Sequence, residues 1–109
     1  MCIRDRIAIV DYNKYSAGGP VNDIVCLEPF VEKWRAFKWW VTEVDGHSIQ
    51  QLCDVLDLVV NLQGDGRPKC IISHTLKGKG VPFWEGRHTH YGRSLELEGG
   101  IKQASTLFK

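Results

Sequence analysis

The chain has 109 residues, 43% of them hydrophobic and 25% charged, with 14 Lys and Arg against 13 Asp and Glu. That is the size and make-up of one domain with a core, and it excludes disorder by composition. A net charge of +1 excludes a general nucleic-acid binder, which needs a basic excess on one face, and no apolar run approaches the roughly 20 residues of a membrane span.

Residues 1–6, Met-Cys-Ile-Arg-Asp-Arg, are polar, short and without the apolar centre of a secretory signal. They are read as a non-native leader, so the fold is expected over residues 7–109. Cys2, Cys26, Cys53 and Cys70 are scattered with no C-x-x-C pair, which argues against a zinc site and for a reduced, cytoplasmic chain.

Ile7 to Val10 is an unbroken apolar run that stops at Asp11, Tyr12 and Asn13. It reads as a strand buried on both faces, as in a parallel sheet. Residues 17–23 read as a Gly- and Pro-containing loop. A helix is expected from about Cys26-Leu27-Glu28-Pro29 to Lys38, with Pro29 in its first turn and Phe30, Val31, Trp34 and Phe37 on its apolar face. Residues 39–44 read as a second strand, rich in aromatic and β-branched residues, closed by Asp45-Gly46. Ser48 with Gln51 forms a capping box for a second helix. Its expected buried face is Ile49, Leu52, Leu56 and Val59, joined by Cys53 and Val60. Residues 69–74, containing Cys70-Ile71-Ile72-Ser73, give a third strand, and Cys53 and Cys70 are expected in the core. A partly helical segment is expected over residues 95–108.

Strand, helix, strand, helix, strand specifies an α/β fold with a parallel sheet and flanking helices. Three strands are few for such a sheet, so it is expected to be incomplete. The carboxyl ends of parallel strands share one edge, where ligands bind. That edge gathers Asn13 after the first strand, Asp45 and His47 after the second, and His74 with the Lys77-Gly78-Lys79-Gly80 loop after the third. Asn13 is open to two readings. It turns the chain, or its amide oxygen and the Tyr15 carbonyl are two oxygens of a Mg²⁺-type shell completed by phosphate and water. Lys77 to Gly80 is either a surface loop or part of an anion site, and it lacks the remainder of a P-loop. His88 and His90 lack a third ligand for a transition metal.

Four segments carry a resemblance: Asp11-Tyr12-Asn13-Lys14, residues 27–37, Glu43-Val44-Asp45-Gly46-His47, and His74-Thr75-Leu76-Lys77-Gly78-Lys79-Gly80-Val81. In that order and spacing the chain resembles the thiamine-diphosphate-binding domain of transketolase, closest to forms in which this half is a separate subunit. The resemblance implies a thiamine-diphosphate fold and two-carbon ketol transfer between sugar phosphates. It implies that Asn13 and the Tyr15 carbonyl hold Mg²⁺ (or Ca²⁺) on the cofactor diphosphate, and that His90 lies near the diphosphate and the substrate. It implies a pyrimidine-binding partner half and a dimeric assembly. The family's leading Gly-Asp-Gly has no counterpart upstream of Asn13, and Gly64-Asp65-Gly66 does not replace it, because no asparagine that could pair with it follows. Two alternatives stand beside this one: an inactive α/β fragment that only folds or associates, and another thiamine-diphosphate enzyme, such as a deoxyxylulose-phosphate-type synthase or a decarboxylase.

Overall fold

The computed structural model describes residues 6–62, 64–82, 84–87 and 105–106. Its elements in chain order are β1 (Ile7–Tyr12), a short hairpin of β2 (Tyr15–Ser16) and β3 (Gly19–Pro20), the single turn α1 (Val21–Ile24), α2 (Phe30–Ala36), β4 (Trp40–Asp45), α3 (Ile49–Asn61) and β5 (Lys69–His74). The hairpin and α1 occupy the stretch expected to be plain loop. Of the helix expected near the C-terminus only residues 105–106 are described, and they are helical.

β1, β5 and β4 form one parallel sheet in that order, as the alternation of elements requires. β5 is the centre, buried from Lys69 through Ser73. Cys70, Ile71 and Ile72 are fully enclosed, and burial of each isoleucine stabilises the fold by about 1.5–3 kcal/mol. Ile9 and Thr42 flank Ile71, and Val10 and Glu43 flank Ile72. Paired residues share a face, so the sheet has two cores. On one face Val44 and Ile71 pack against Val55 and Val59 of α3, with Trp40 and Leu52 alongside. On the other, Tyr12, Cys70 and Ile72 pack with Phe30, Val31 and Trp34 of α2 and with Trp39. Trp34 meets Trp39 edge-on, with ring centres 4.9 Å apart.

Several expectations are corrected. Among the described residues β1 stands at the end of the sheet and is not buried on both faces: α3 covers β4 and β5, and Ile7 and Ile9 are exposed. α2 begins at Phe30 with Pro29 at its N-cap, and the Glu28 carboxylate accepts the Phe30 N–H at 3.1 Å. Lys38 adopts a φ of 65°, ending the helical path early and leaving Phe37 in solvent. In α3 the buried stripe is Leu52, Val55 and Val59, while Ile49, Cys53, Leu56 and Val60 are exposed. The helix is rotated from the expected face toward Val55, which keeps the expected Leu52 and Val59 inside. Ser48 does cap it, accepting the Gln51 N–H, but Gln51 reaches back to the Asp45 N–H instead of closing the box on Ser48. Cys70 is buried as expected and Cys53 is not.

This rotation makes a measurable distinction. Ile71→Ala is expected to cost about 2–5 kcal/mol, whereas Ile49→Ala stays within about 0.5 kcal/mol. Urea unfolding of both variants checks it, and the reverse ranking would refute the observed face.

Candidate functional site

Register brings the strand ends together: Tyr12 and Asp45 both lie opposite His74. Beyond Tyr12 the chain turns sharply. Asn13 Oδ1 accepts the Tyr15 N–H at 2.9 Å, an Asx turn of the kind asparagine favours. Lys14 between them has a φ of 69°, a left-handed conformation that costs a non-glycine residue about 1–2 kcal/mol. The turn is held from outside by the Val21 N–H, which donates to the Lys14 carbonyl at 2.9 Å. The structure thus places Asn13 and Tyr15 at the sheet edge, as expected, and the Asx turn fixes the orientation of the amide oxygen.

A chain of side chains runs across the same edge. Lys14 Nζ donates to His74 Nδ1 at 3.0 Å, and His74 Nε2 faces Glu43 Oε1 at 2.8 Å. Lysine has only protons to give, so Nδ1 accepts and the ring proton belongs on Nε2, donated to Glu43. Lys14 also lies over the Tyr12 ring, 3.3 Å from its centre, and the Tyr12 hydroxyl donates to Glu28 Oε1 at 2.6 Å. That bond, with burial, pushes the Tyr12 hydroxyl up to about 12 and holds the Glu28 carboxyl below its ordinary range. Burial lowers the Lys14 ammonium. His74 is therefore a satisfied edge histidine. Lys14, Glu28 and Glu43 were not legible as site residues. Strand alternation puts Glu43 and His74 on one face only once the register is known.

His47 has a structural task. Its Nε2 accepts the Leu76 N–H at 2.7 Å, and its own N–H donates to Asp45 Oδ1, so its ring proton sits on Nδ1. Thr75 donates its hydroxyl to Asp11. Gly46 passes so close to β5 that a Cβ would stand 2.2 Å from Ser73 Oγ and 3.0 Å from the His74 carbonyl. Together these contacts fasten the start of the 75–80 segment to both neighbouring strand ends. In the Lys77 to Gly80 loop and just after it, several amides are taken up locally. The Lys79, Gly80 and Val81 N–H groups donate to Leu76 O, Glu85 Oε1 and Gly78 O. The Tyr15 hydroxyl donates to the Gly86 carbonyl and ties this loop to the Asn13 turn. Gly64, Asp65 and Gly66 lie in an exposed turn where Asp65 pairs with Arg67, away from the edge. His88 and His90 lie outside the described residues.

The parallel α/β sheet thus carries Asn13, Lys14, Tyr15 and the 77–80 turn at its carboxyl edge, the edge at which open α/β sheets take their ligands. The chain belongs to the transketolase thiamine diphosphate binding domain family, which it matches over residues 2–108. It is 40% identical over 100 residues to an apulose-4-phosphate transketolase subunit of Actinobacillus succinogenes, covering 89% of this chain and 35% of that protein. It is 38% identical over 92 residues to the 6-deoxy-6-sulfo-D-fructose transketolase subunit SqwG of a Clostridium species, covering 84% of this chain and 33% of that protein. The chain thus spans about a third of the length of these relatives. The crystal structure of transketolase from Campylobacter jejuni shares the fold, with a TM-score of 0.70 at 22% identity, over 93% of this chain and 16% of that one.

The oxygens suit a hard cation in part. An amide oxygen has two lone pairs, and the Tyr15 N–H occupies one of those on Asn13. Among the described residues no three His, Cys, Asp or Glu side chains gather to hold a metal. Two neutral oxygens fit one side of a Mg²⁺ or Ca²⁺ shell whose counter-charge comes from the ligand.

The Tyr12 bond sets an alkaline limit. A tyrosine whose folded-state value is raised contributes stability present below about pH 10 and lost as pH rises through about 12. Cys70, raised by burial from 9.0 to about 11, adds a loss that starts lower. Tyr12→Phe is expected to cost about 1 kcal/mol at neutral pH and to flatten the alkaline decline, leaving the Cys70 share. Urea midpoints measured across alkaline pH read both effects, and an unchanged alkaline slope in Tyr12→Phe would contradict the assignment.

Proposed function

We propose that this chain supplies the cofactor-diphosphate side of a thiamine-diphosphate- and Mg²⁺-dependent transketolase, which transfers a two-carbon ketol unit between sugar phosphates. The observation that carries this reading is the Asn13–Tyr15 turn, set at the carboxyl edge of a sheet in a domain of this family. The Asn13 side chain and the Tyr15 carbonyl would hold the metal, and the metal would hold the diphosphate. Bound thiamine diphosphate supplies carbanion stabilisation, and the protein's share is to bind and orient it. His90 is assigned to the diphosphate and the substrate. Residues 7–109 then form part of the diphosphate domain.

The named relatives are transketolase subunits and this chain spans about a third of their length. This supports a pyrimidine-binding half as partner, in another chain or missing from this one, and the reading includes a dimeric assembly. Scattered cysteines support a cytoplasmic setting, and among the described residues no helix is long and apolar enough to cross a membrane.

Calorimetric titration of thiamine diphosphate with Mg²⁺, with and without a pyrimidine-domain partner, tests the reading. Metal-dependent binding is expected, and it weakens by roughly tenfold or more in Asn13→Ala, as the loss of one well-placed oxygen implies. Absence of binding even with the partner supplied would favour the inactive fragment. Turnover of keto acids, with none of paired sugar phosphates, would move the assignment to a decarboxylase.

A further inference from the structure

The Asn13–Tyr15 turn is not self-supporting. Lys14 sits in it with a φ of 69°, and such a backbone persists only where its surroundings over-determine it. Its carbonyl is held by the Val21 N–H. Its side chain is held on the other side by His74 Nδ1 and the Tyr12 ring. His74 is held in turn by Glu43, and its ring lies 5.6 Å from that of Tyr12. Lys14 follows β1, His74 ends β5 and Glu43 is in β4, so the contacts cross the whole sheet at its carboxyl edge.

We infer that Glu43, His74 and Lys14 form a positioning relay that holds the Asn13 and Tyr15 oxygens in place from three strands. The side chains of His74 and Glu43 are 39% and 50% exposed, so either contact alone is weak. Linked through one imidazole whose two nitrogens are both engaged, they fix a tautomer and a position. This is how outer groups orient a histidine at a metal centre, here passed on to a lysine and its turn. None of the three touches the cofactor in this scheme. Their importance for binding rests on the reading of the turn given above, while the relay itself does not.

Three measurements on the full chain test it. Nitrogen NMR of the His74 ring should find the neutral form protonated at Nε2. Amide exchange at Tyr15 and Val21 should speed up about tenfold in Glu43→Ala, the change that loss of one hydrogen bond to a charged group gives, and stay close to wild type in Glu43→Gln, which keeps an acceptor oxygen. The Ile71 and Ile72 amides serve as the reference for an intact sheet. A proton on Nδ1, unchanged Tyr15 exchange in Glu43→Ala, or a glutamine no better than alanine would overturn the relay. Titration of thiamine diphosphate with Mg²⁺ then separates the two readings. Binding by wild type that falls about tenfold in Glu43→Ala and returns in Glu43→Gln supports both. Responsive Tyr15 exchange with no binding by wild type, even with the pyrimidine-domain partner supplied, leaves the relay standing and removes the cofactor reading.

Discussion

Parallel pairing on both sides of β5 is the constraint on which the rest depends. Among the described strands only β5 is enclosed along nearly its whole length, and the two cores meet through its alternate residues, Ile71 toward α3 and Cys70 and Ile72 toward α2. A parallel strand cannot slip by one residue without turning Ile71 and Ile72 to the wrong cores. The register that satisfies both cores also places Tyr12, His74 and Asp45 side by side. The apolar packing of the middle of the sheet therefore sets the geometry of its edge.

At that edge the chemistry lies in turns and not in regular elements. Asn13 bends the chain, Lys14 takes a costly conformation, and Gly46 lets β4 pass the end of β5 at a distance no side chain allows. The side chains around them are committed to holding these turns. His47 secures the Leu76 amide, Tyr15 secures Gly86, and His74 links Lys14 to Glu43. In the proposed reading the ligand meets the Asn13 amide oxygen and the Tyr15 carbonyl, a pair of neutral oxygens. Such a set suits an anionic ligand that brings its own charge to a shared cation.

Much of this was legible in the sequence because its signals are local. The apolar run of β1, the Ser48 cap and the β5 segment need only neighbouring residues, and the spaced motifs carried the family. Burial was harder to read. α3 is apolar at Ile49, Leu52, Cys53, Val55, Leu56, Val59 and Val60, and periodicity alone does not say that Val55 joins Leu52 and Val59 against the sheet while the others face out. β1 looks like a central strand because Ile7 to Val10 are all apolar, yet among the described strands it stands at the end of the order. The relay through His74 was hidden for a related reason. Glu43 and His74 are 31 residues apart, and only the β4–β5 register makes them neighbours. The glycine loop stayed open between two readings, because composition does not say that Leu76 O and Glu85 take up its Lys79 and Gly80 amides.

In the proposed scheme the cation and the cofactor meet at the Asn13–Tyr15 turn. Mn²⁺ in place of Mg²⁺, with thiamine diphosphate present, makes the position of the metal directly visible as line broadening in the amide NMR spectrum. The strongest broadening is expected to centre on residues 13–16 and to fade along the sheet toward Lys69 and Cys70, and omitting the cofactor should remove it. Broadening centred on Gly64-Asp65-Gly66 or on the acidic side chains of α3, or an equal effect without the cofactor, would contradict the scheme.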